Sequence, residues 1–267
     1  MGTKLNRDRV KTALATFFNT EDAGYDDLVE MVDHIPGLGN RYGLSWTAGA
    51  RGVPGVNGDM QNAAESVRMI ADVDFEVLGT NAHSGDCTVY AEGGIKMETD
   101  GADGDQVILL PHLDATHSAW NLVTWGTDKK TEWECHIKTG SSIASSNIWA
   151  GLKLTNVSVT ATDDDQVFFR YEDDINDGEW QAIYSIAGTD TATDTGLVVA
   201  ADTEYYLRIA IDSDRIAKMY INGALVVTST ALTTAKDLIP YIGVEEDGAS
   251  AAKHLYVFSQ KISREIG

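Results

Sequence analysis

The sequence predicts an all-β protein: an antiparallel β-sandwich of jelly-roll type behind an N-terminal arm that carries one or two short helices. Three observations predict it. From Thr203 to Thr230, Tyr205, Leu207, Ile209 and Ile211 alternate with Tyr206, Arg208 and Ala210, and a polar turn at Asp212 to Asp214 leads into the apolar run Ile216 to Ile221. Asn222-Gly223 follows, a pair that tolerates the positive φ of a type I′ turn, so this stretch reads as two consecutive hairpins. Beyond residue 68, many short β-rich runs recur at close spacing between turn clusters such as Asp100 to Asp105 and Asp173 to Gly178. No helical period separates them, which favours antiparallel pairing over a parallel βαβ sheet.

Taken in order, residues 8–35 hold the only helical period. Val10, Ala13, Leu14, Phe17 and Phe18 follow an i, i+3, i+4, i+7 spacing, and Leu28, Met31, Val32 and Ile35 repeat it after the acidic start Asp26-Asp27. Between Gly37 and Gly58 stand seven glycines in 22 residues, with Arg41 and Arg51 as the only charges. Such a segment cannot build a core of its own and reads as linker. These features set an arm at residues 1–66 and a sandwich domain at 67–267. In Ile70 to Gly79, Val73, Phe75 and Val77 alternate with Asp72, Asp74 and Glu76, a half-buried strand. Further strands are expected near 87–91, 94–98, 106–110, 119–124, 131–138, 147–154, 165–171, 180–186, 195–199, 204–211, 215–221, 224–229, 239–244 and 254–262.

Composition narrows the function. The chain has 267 residues, and its sandwich portion is long enough to bury roughly 70% of its unfolded surface without a staple. Cys87 and Cys135 are too few for a disulfide framework and read as buried thiols. No apolar run reaches 18 residues and the first twenty residues lack an apolar signal core, so neither a membrane span nor export is expected. A net charge of −21 argues against nucleic acid as a partner, because phosphate contact needs clustered Lys and Arg. Lys4, Arg7, Arg9 and Lys11 against Asp8 give the first twenty residues a charge of +3. A basic arm on an acidic body suits docking onto an acidic neighbour, another copy included.

The order of extended segment, acidic turn, "YING" hairpin, "IGV" and a last strand from His254 to Phe258 resembles the end of concanavalin A-like lectin and glucanase jelly rolls. The likeness covers roughly residues 70–262. The whole chain, with AEGGIKMETDGADGDQVILLPHLD and TDTATDTG, also resembles structural proteins of tailed phages. That resemblance implies a non-enzymatic virion protein, a capsid decoration or cement protein or a head fibre. It would be held on the major capsid protein, another virion protein or sister subunits by Lys4, Arg7, Arg9, Lys11, Phe17, Phe18, Leu28, Met31 and Trp46. Lectin-like glycan binding is the alternative it leaves open, and a glycoside hydrolase or lyase a further one.

The candidate chemistry is weighed against simpler readings. Asp72, Asp74 and Glu76 share one strand face, as the carboxylates of laminarinase-like glucanases do, yet strict alternation equally makes them the wet face of an outer strand. Glu132, Glu134 and His136 share another face, fit for acid–base work or a cation, or for solvent. Asp163, Asp164, Asp165, Asp173, Asp174 and Asp177 offer oxygen ligands for calcium, although Ile175 breaks the EF-hand pattern. His112, Asp114 and His117 fall on opposite strand faces, against a zinc site. Trp120, Trp125, Trp133, Trp149 and Trp180 either form a sugar-stacking platform or fill the core.

Overall fold

A computed structural model describes residues 41–47, 76–90, 93–110, 124–154, 163–175, 178–248 and 251–265, with 41–47 described as backbone alone. It holds fifteen strands: β1 Arg41–Thr47, β2 Glu76–Leu78, β3 Cys87–Val89, β4 Ile95–Glu98, β5 Gln106–Leu110, β6 Glu132–Thr139, β7 Ser146–Lys153, β8 Gln166–Glu172, β9 Glu179–Ile186, β10 Thr189–Val198, β11 Glu204–Ile211, β12 Ile216–Ile221, β13 Ala224–Ala231, β14 Ile239–Glu246 and β15 His254–Glu265. Among the described residues the only helical piece is a 3₁₀ turn at Ser84–Asp86, so none is long and apolar enough to cross a membrane.

The strands form two antiparallel sheets. The front sheet runs β13-β12-β11-β6-β15-β4-β3, with β1 also on β15, and the back sheet runs β10-β9-β8-β7-β14-β5-β2. The expected sandwich is therefore present. Ile95, Met97, Trp133, Ile137, Leu207 and Ile209 from the front sheet meet Val107, Ile148, Val167, Trp180 and Val244 from the back sheet in one core. Trp180 stands edge-on to Tyr205 of the front sheet at 5.4 Å between ring centres, a quadrupole-favoured geometry that ties the layers together.

The two outer faces differ. On the back sheet Ile108, Leu110, Trp149, Phe168, Ile183, Ile239 and Tyr241 alternate with the core residues and are buried too. The front sheet instead turns polar and aromatic side chains outward: β6 has Trp133, Cys135 and Ile137 inside, with Glu134, His136 and Lys138 outside. A ligand that binds a sheet face therefore meets the front sheet.

The expected hairpins form. Ile221 pairs Ala224 across Asn222-Gly223, whose φ values of 51° and 81° are those of a type I′ turn. The β11–β12 turn is closed by Asp212, whose Oδ1 accepts from the backbone N–H groups of Asp214 (2.9 Å) and Ile216 (3.0 Å).

Three strands depart from expectation. β10 begins at Thr189 rather than near 195, because Ala187-Gly188 (φ 49° and 79°) makes a second two-residue hairpin, and its strand is an exposed edge with no apolar alternation to reveal it. β15 extends to Glu265, and its far half pairs with β1. β1 itself, placed within the glycine-rich arm by composition, is a strand in which Trp46 lies opposite Gln260. The residues of the expected helices lie outside the described ones, as do 70–75 and 119–123.

Candidate functional site

The site is set by strand register. Tyr220 on β12 pairs Arg208 on β11, Arg208 pairs Glu134 on β6, and Glu134 pairs Lys261 on β15, so four side chains form one row across the front sheet. In the adjacent row Tyr206 pairs His136, and His136 pairs Ser259. Alternate residues put the two rows about 7 Å apart, on strands about 4.8 Å from each other. Between Val257 and Ser259 the β15–β6 register slips by one residue, a bulge that leaves Phe258 and Ser259 both off the core face. Gly94 permits this, since a Cβ there would meet Phe258 Cδ1 at 2.9 Å.

These rows line a groove of about 520 Å³, a size suited to a small ligand or a segment of a polymer. Its walls are aromatic. The Tyr206 ring, 55% exposed, stacks on His136 at 4.0 Å and 14°, and Phe258 leans on the other side of His136 at 4.7 Å. Arg208 lies over the Tyr220 ring at 4.8 Å. Farther along the sheet, Tyr256 packs on Tyr90 at 4.2 Å with Lys138 above it.

Its charges are paired. Arg208 Nε donates to Glu132 Oε1 at 2.5 Å and lies 3.7 Å from Glu134, which Lys261 approaches at 3.5 Å. Burial opposes the charge on Arg208, and Glu132 followed by Glu134 overrides it, so the guanidinium is held above its ordinary range. His136 Nε2 lies 3.0 Å from Glu204.

Of the sequence candidates, Glu132, Glu134 and His136 are thus gathered on the groove side of β6. Glu76 lies on β2, at the edge of the other sheet, while Asp72, Asp74, His112, Asp114, His117, Trp120 and Asp177 lie outside the described residues. The tryptophan platform is corrected: Trp125, Trp133, Trp149 and Trp180 are at most 2% exposed and serve as packing. The aromatic side chains that line the groove are Tyr206, whose outward side the alternation in β11 marks, and Tyr220, which falls within the run Ile216 to Ile221 that reads as apolar. Lys4, Arg7, Arg9, Lys11, Phe17, Phe18, Leu28 and Met31 lie outside the described residues.

The calcium grouping is also corrected. Asp165 and Asp173 flank β8 at opposite ends, about 26 Å apart at strand rise, too far to share an ion. Asp163, Asp165 and Asp173 each have a partner of their own. Asp163 accepts from Leu154 N at 2.9 Å and faces Lys153 Nζ at 3.9 Å. Burial pushes Asp165 upward, but bonds from Thr233 and Lys236, the latter at 3.0 Å, hold it below the usual carboxylate range. Asp173 accepts from Ser145 N at 2.6 Å and from the Tyr171 hydroxyl at 3.3 Å, while burial first and Asp173 second push that phenol up to about 12. Asp164 and Asp174 are exposed. Among the described residues one trio has metal-ligating spacing, His83, Asp86 and Asp100, where Asp86 already accepts from His83 N at 2.7 Å. Cys87 and Cys135 are free thiols; burial pushes Cys87 up to about 12 and Cys135 well above its ordinary value.

No protein-family model and no curated protein sequence matches the chain. Solved structures do. A protein of unknown function from Shewanella oneidensis MR-1 is similar at TM-score 0.53 and 12% identity, over 84% of this chain and 87% of that one. A Bacillus licheniformis β-glucanase is similar at 0.50 and 10%, over 70% and 91%. The carbohydrate recognition domain of Emp46p, in a potassium-bound form, is similar at 0.50 and 8%, over 73% and 89%. At these identities the likeness speaks to the fold, and with the two sheets described above it establishes a concanavalin A-like jelly roll.

Proposed function

We propose that the protein binds a glycan along the front-sheet groove and does not cleave it. The observation that carries this reading is the exposed Tyr206 ring, stacked on His136 and set beside Tyr220 in a groove that also offers Arg208, Glu134 and Lys261. Aromatic faces take the apolar faces of sugar rings, and the surrounding polar groups take the hydroxyls. Hydrolysis is disfavoured by the carboxylates themselves. Glu132 Oε1 and Glu134 Oε1 lie 2.5 Å and 3.7 Å from one Arg208 Nε, so both carboxylates are turned to the same cation rather than set on either side of a scissile bond. Both serve as counter-charges to Arg208, and Glu134 also pairs with Lys261 at 3.5 Å.

Affinity electrophoresis through gels containing soluble polysaccharides tests this. Wild type should be retarded by at least one polymer, Tyr206→Ala and Tyr220→Ala should run free, and no polymer should be shortened. Equal mobility of wild type and both variants in every gel would reject the reading.

A second reading is favoured by the charge of +3 on the first twenty residues of a chain of net −21. In it the protein is a virion decoration or head-fibre protein, docked through its N-terminal residues onto capsid protein or sister copies, with the groove facing outward. Because β1 belongs to the sheet, the test is removal of residues 1–40 rather than 1–66. Loss of association with capsid by a still-folded sandwich supports docking; unchanged association rejects it.

A further inference from the structure

We propose that the groove selects an acidic glycan, with a sugar carboxylate seated on Arg208. This rests on the glycan-binding reading and names the ligand class. Two independent observations carry it.

The first is the orientation of Arg208. Its Nε is taken by Glu132 at 2.5 Å and approached by Glu134 at 3.7 Å, and its plane lies over Tyr220. Nothing among the described residues partners its two terminal nitrogens, and the side chain is 34% exposed at the groove. A guanidinium anchored through Nε presents the other edge of its fork, two parallel N–H donors that match a carboxylate. A neutral hydroxyl uses one such donor and leaves the second to water. Ser259 and the Lys261 ammonium lie on the same groove wall.

The second is the distribution of charge. On the outer face of the front sheet Lys96, Lys138, Arg208, Lys218 and Lys261 stand against Glu98, Glu132, Glu134, Glu204 and Glu265, five cations to five carboxylates, so the face carries no net charge. The chain as a whole is −21, so nearly all its negative charge lies elsewhere. An acidic polymer is repelled by the body and admitted at this face. Glu134, the second carboxylate beside Arg208, is itself offset by Lys261 at 3.5 Å.

The experiment compares polygalacturonate with its fully methyl-esterified form, which keeps the sugar ring and removes the charge, and adds dextran sulfate as a purely electrostatic arm. Wild type should bind polygalacturonate at least tenfold more tightly than the ester. Arg208→Gln should lose about 10- to 100-fold on polygalacturonate, the range of a charge-assisted hydrogen bond. On the ester the same variant should lose only the weaker hydrogen bond to a neutral group, about two- to tenfold. Arg208→Lys keeps the charge without the fork, guards against a folding artefact, and should lose a comparable factor. Equal binding of acid and ester by wild type overturns the acidic class while leaving glycan binding intact. Binding of none of the polymers overturns the acidic class too, and the glycan reading is then judged by the wider polysaccharide gels. Dextran sulfate binding that matches polygalacturonate and ignores Arg208→Gln reduces the attraction to bulk charge and overturns the proposal.

Discussion

Removing Arg208 tests whether the groove's charges are held as a unit. The Glu132 side chain is 8% exposed and Arg208 34% exposed. Stripping a cation from a fully buried pair costs about 3–5 kcal/mol, whereas exposed pairs are worth at most about 1 kcal/mol. With one partner buried and the other a third open to solvent, Arg208→Ala should cost about 2 kcal/mol. For a domain of this size that lowers the melting temperature by about 4–8 °C. Because the cost is the charge left on Glu132, Glu132→Gln in the Arg208→Ala background should restore at least half of it. Urea unfolding of wild type, both single variants and the double variant measures the coupling. A loss under about 0.5 kcal/mol for Arg208→Ala, or strict additivity in the cycle, would refute the argument.

The remaining expectations concern the frame around the groove. A Cβ at Gly243 would meet the Trp149 indole at 2.3 Å, and Trp149 is 2% exposed with nowhere to go, so Gly243→Ala should destabilise by about 1–3 kcal/mol in chemical denaturation. At Gly223, φ is 81° with open space around it, so Gly223→Ala should cost about 1–2 kcal/mol from backbone strain alone, and a Gly223→Asn variant should recover part of that loss. Burial first, with Asp247 among the further causes, raises the folded-state pKa of Glu172 and Glu245 above 4.5. The fold then holds these protons more tightly than the unfolded chain, so the contribution of these two groups to stability should rise as pH falls from 7 through the folded values. Glu245→Gln should accordingly be more favourable for the melting temperature at pH 7 than below the ordinary glutamate range, whatever the lost hydrogen bond from Gln106 costs at both; equal effects at both pH values would contradict this. Cys135, buried and with its thiol pushed well above the ordinary value, should resist a thiol-specific chromogenic reagent until urea unfolds the protein.

How much of the molecule was legible depended on the range of the signal. The β11–β12–β13 region could be read residue by residue because alternation and Asn-Gly are local: they put Tyr205 and Leu207 inside, Tyr206 and Arg208 outside, and the turn at 222–223. The start of β10 is hidden in the sequence because an edge strand exposed on both sides has no alternation, and Ala187-Gly188 is a weaker turn signal than Asn-Gly. β1 has the composition of a linker, since its glycine-rich surroundings cannot reveal a partner that lies more than two hundred residues away, at Ser259 to Glu265.

The sequence by itself determined the class of fold, the inward and outward faces of its clearest strands, and a surface too acidic for nucleic acid. Those properties follow from period, turn chemistry and composition, each of which acts over a few residues or over the whole chain. Only the tertiary structure decided the site. The row Tyr220, Arg208, Glu134, Lys261 joins four strands through three register matches spanning 12 to 127 residues, and the bulge at Phe258 sets one of them. The tertiary structure likewise withdrew the tryptophans into the core and sent the clustered aspartates to opposite ends of β8. Side chains become neighbours across a sheet through backbone hydrogen bonding between strands, and that pairing leaves no mark in the spacing of residues along the chain.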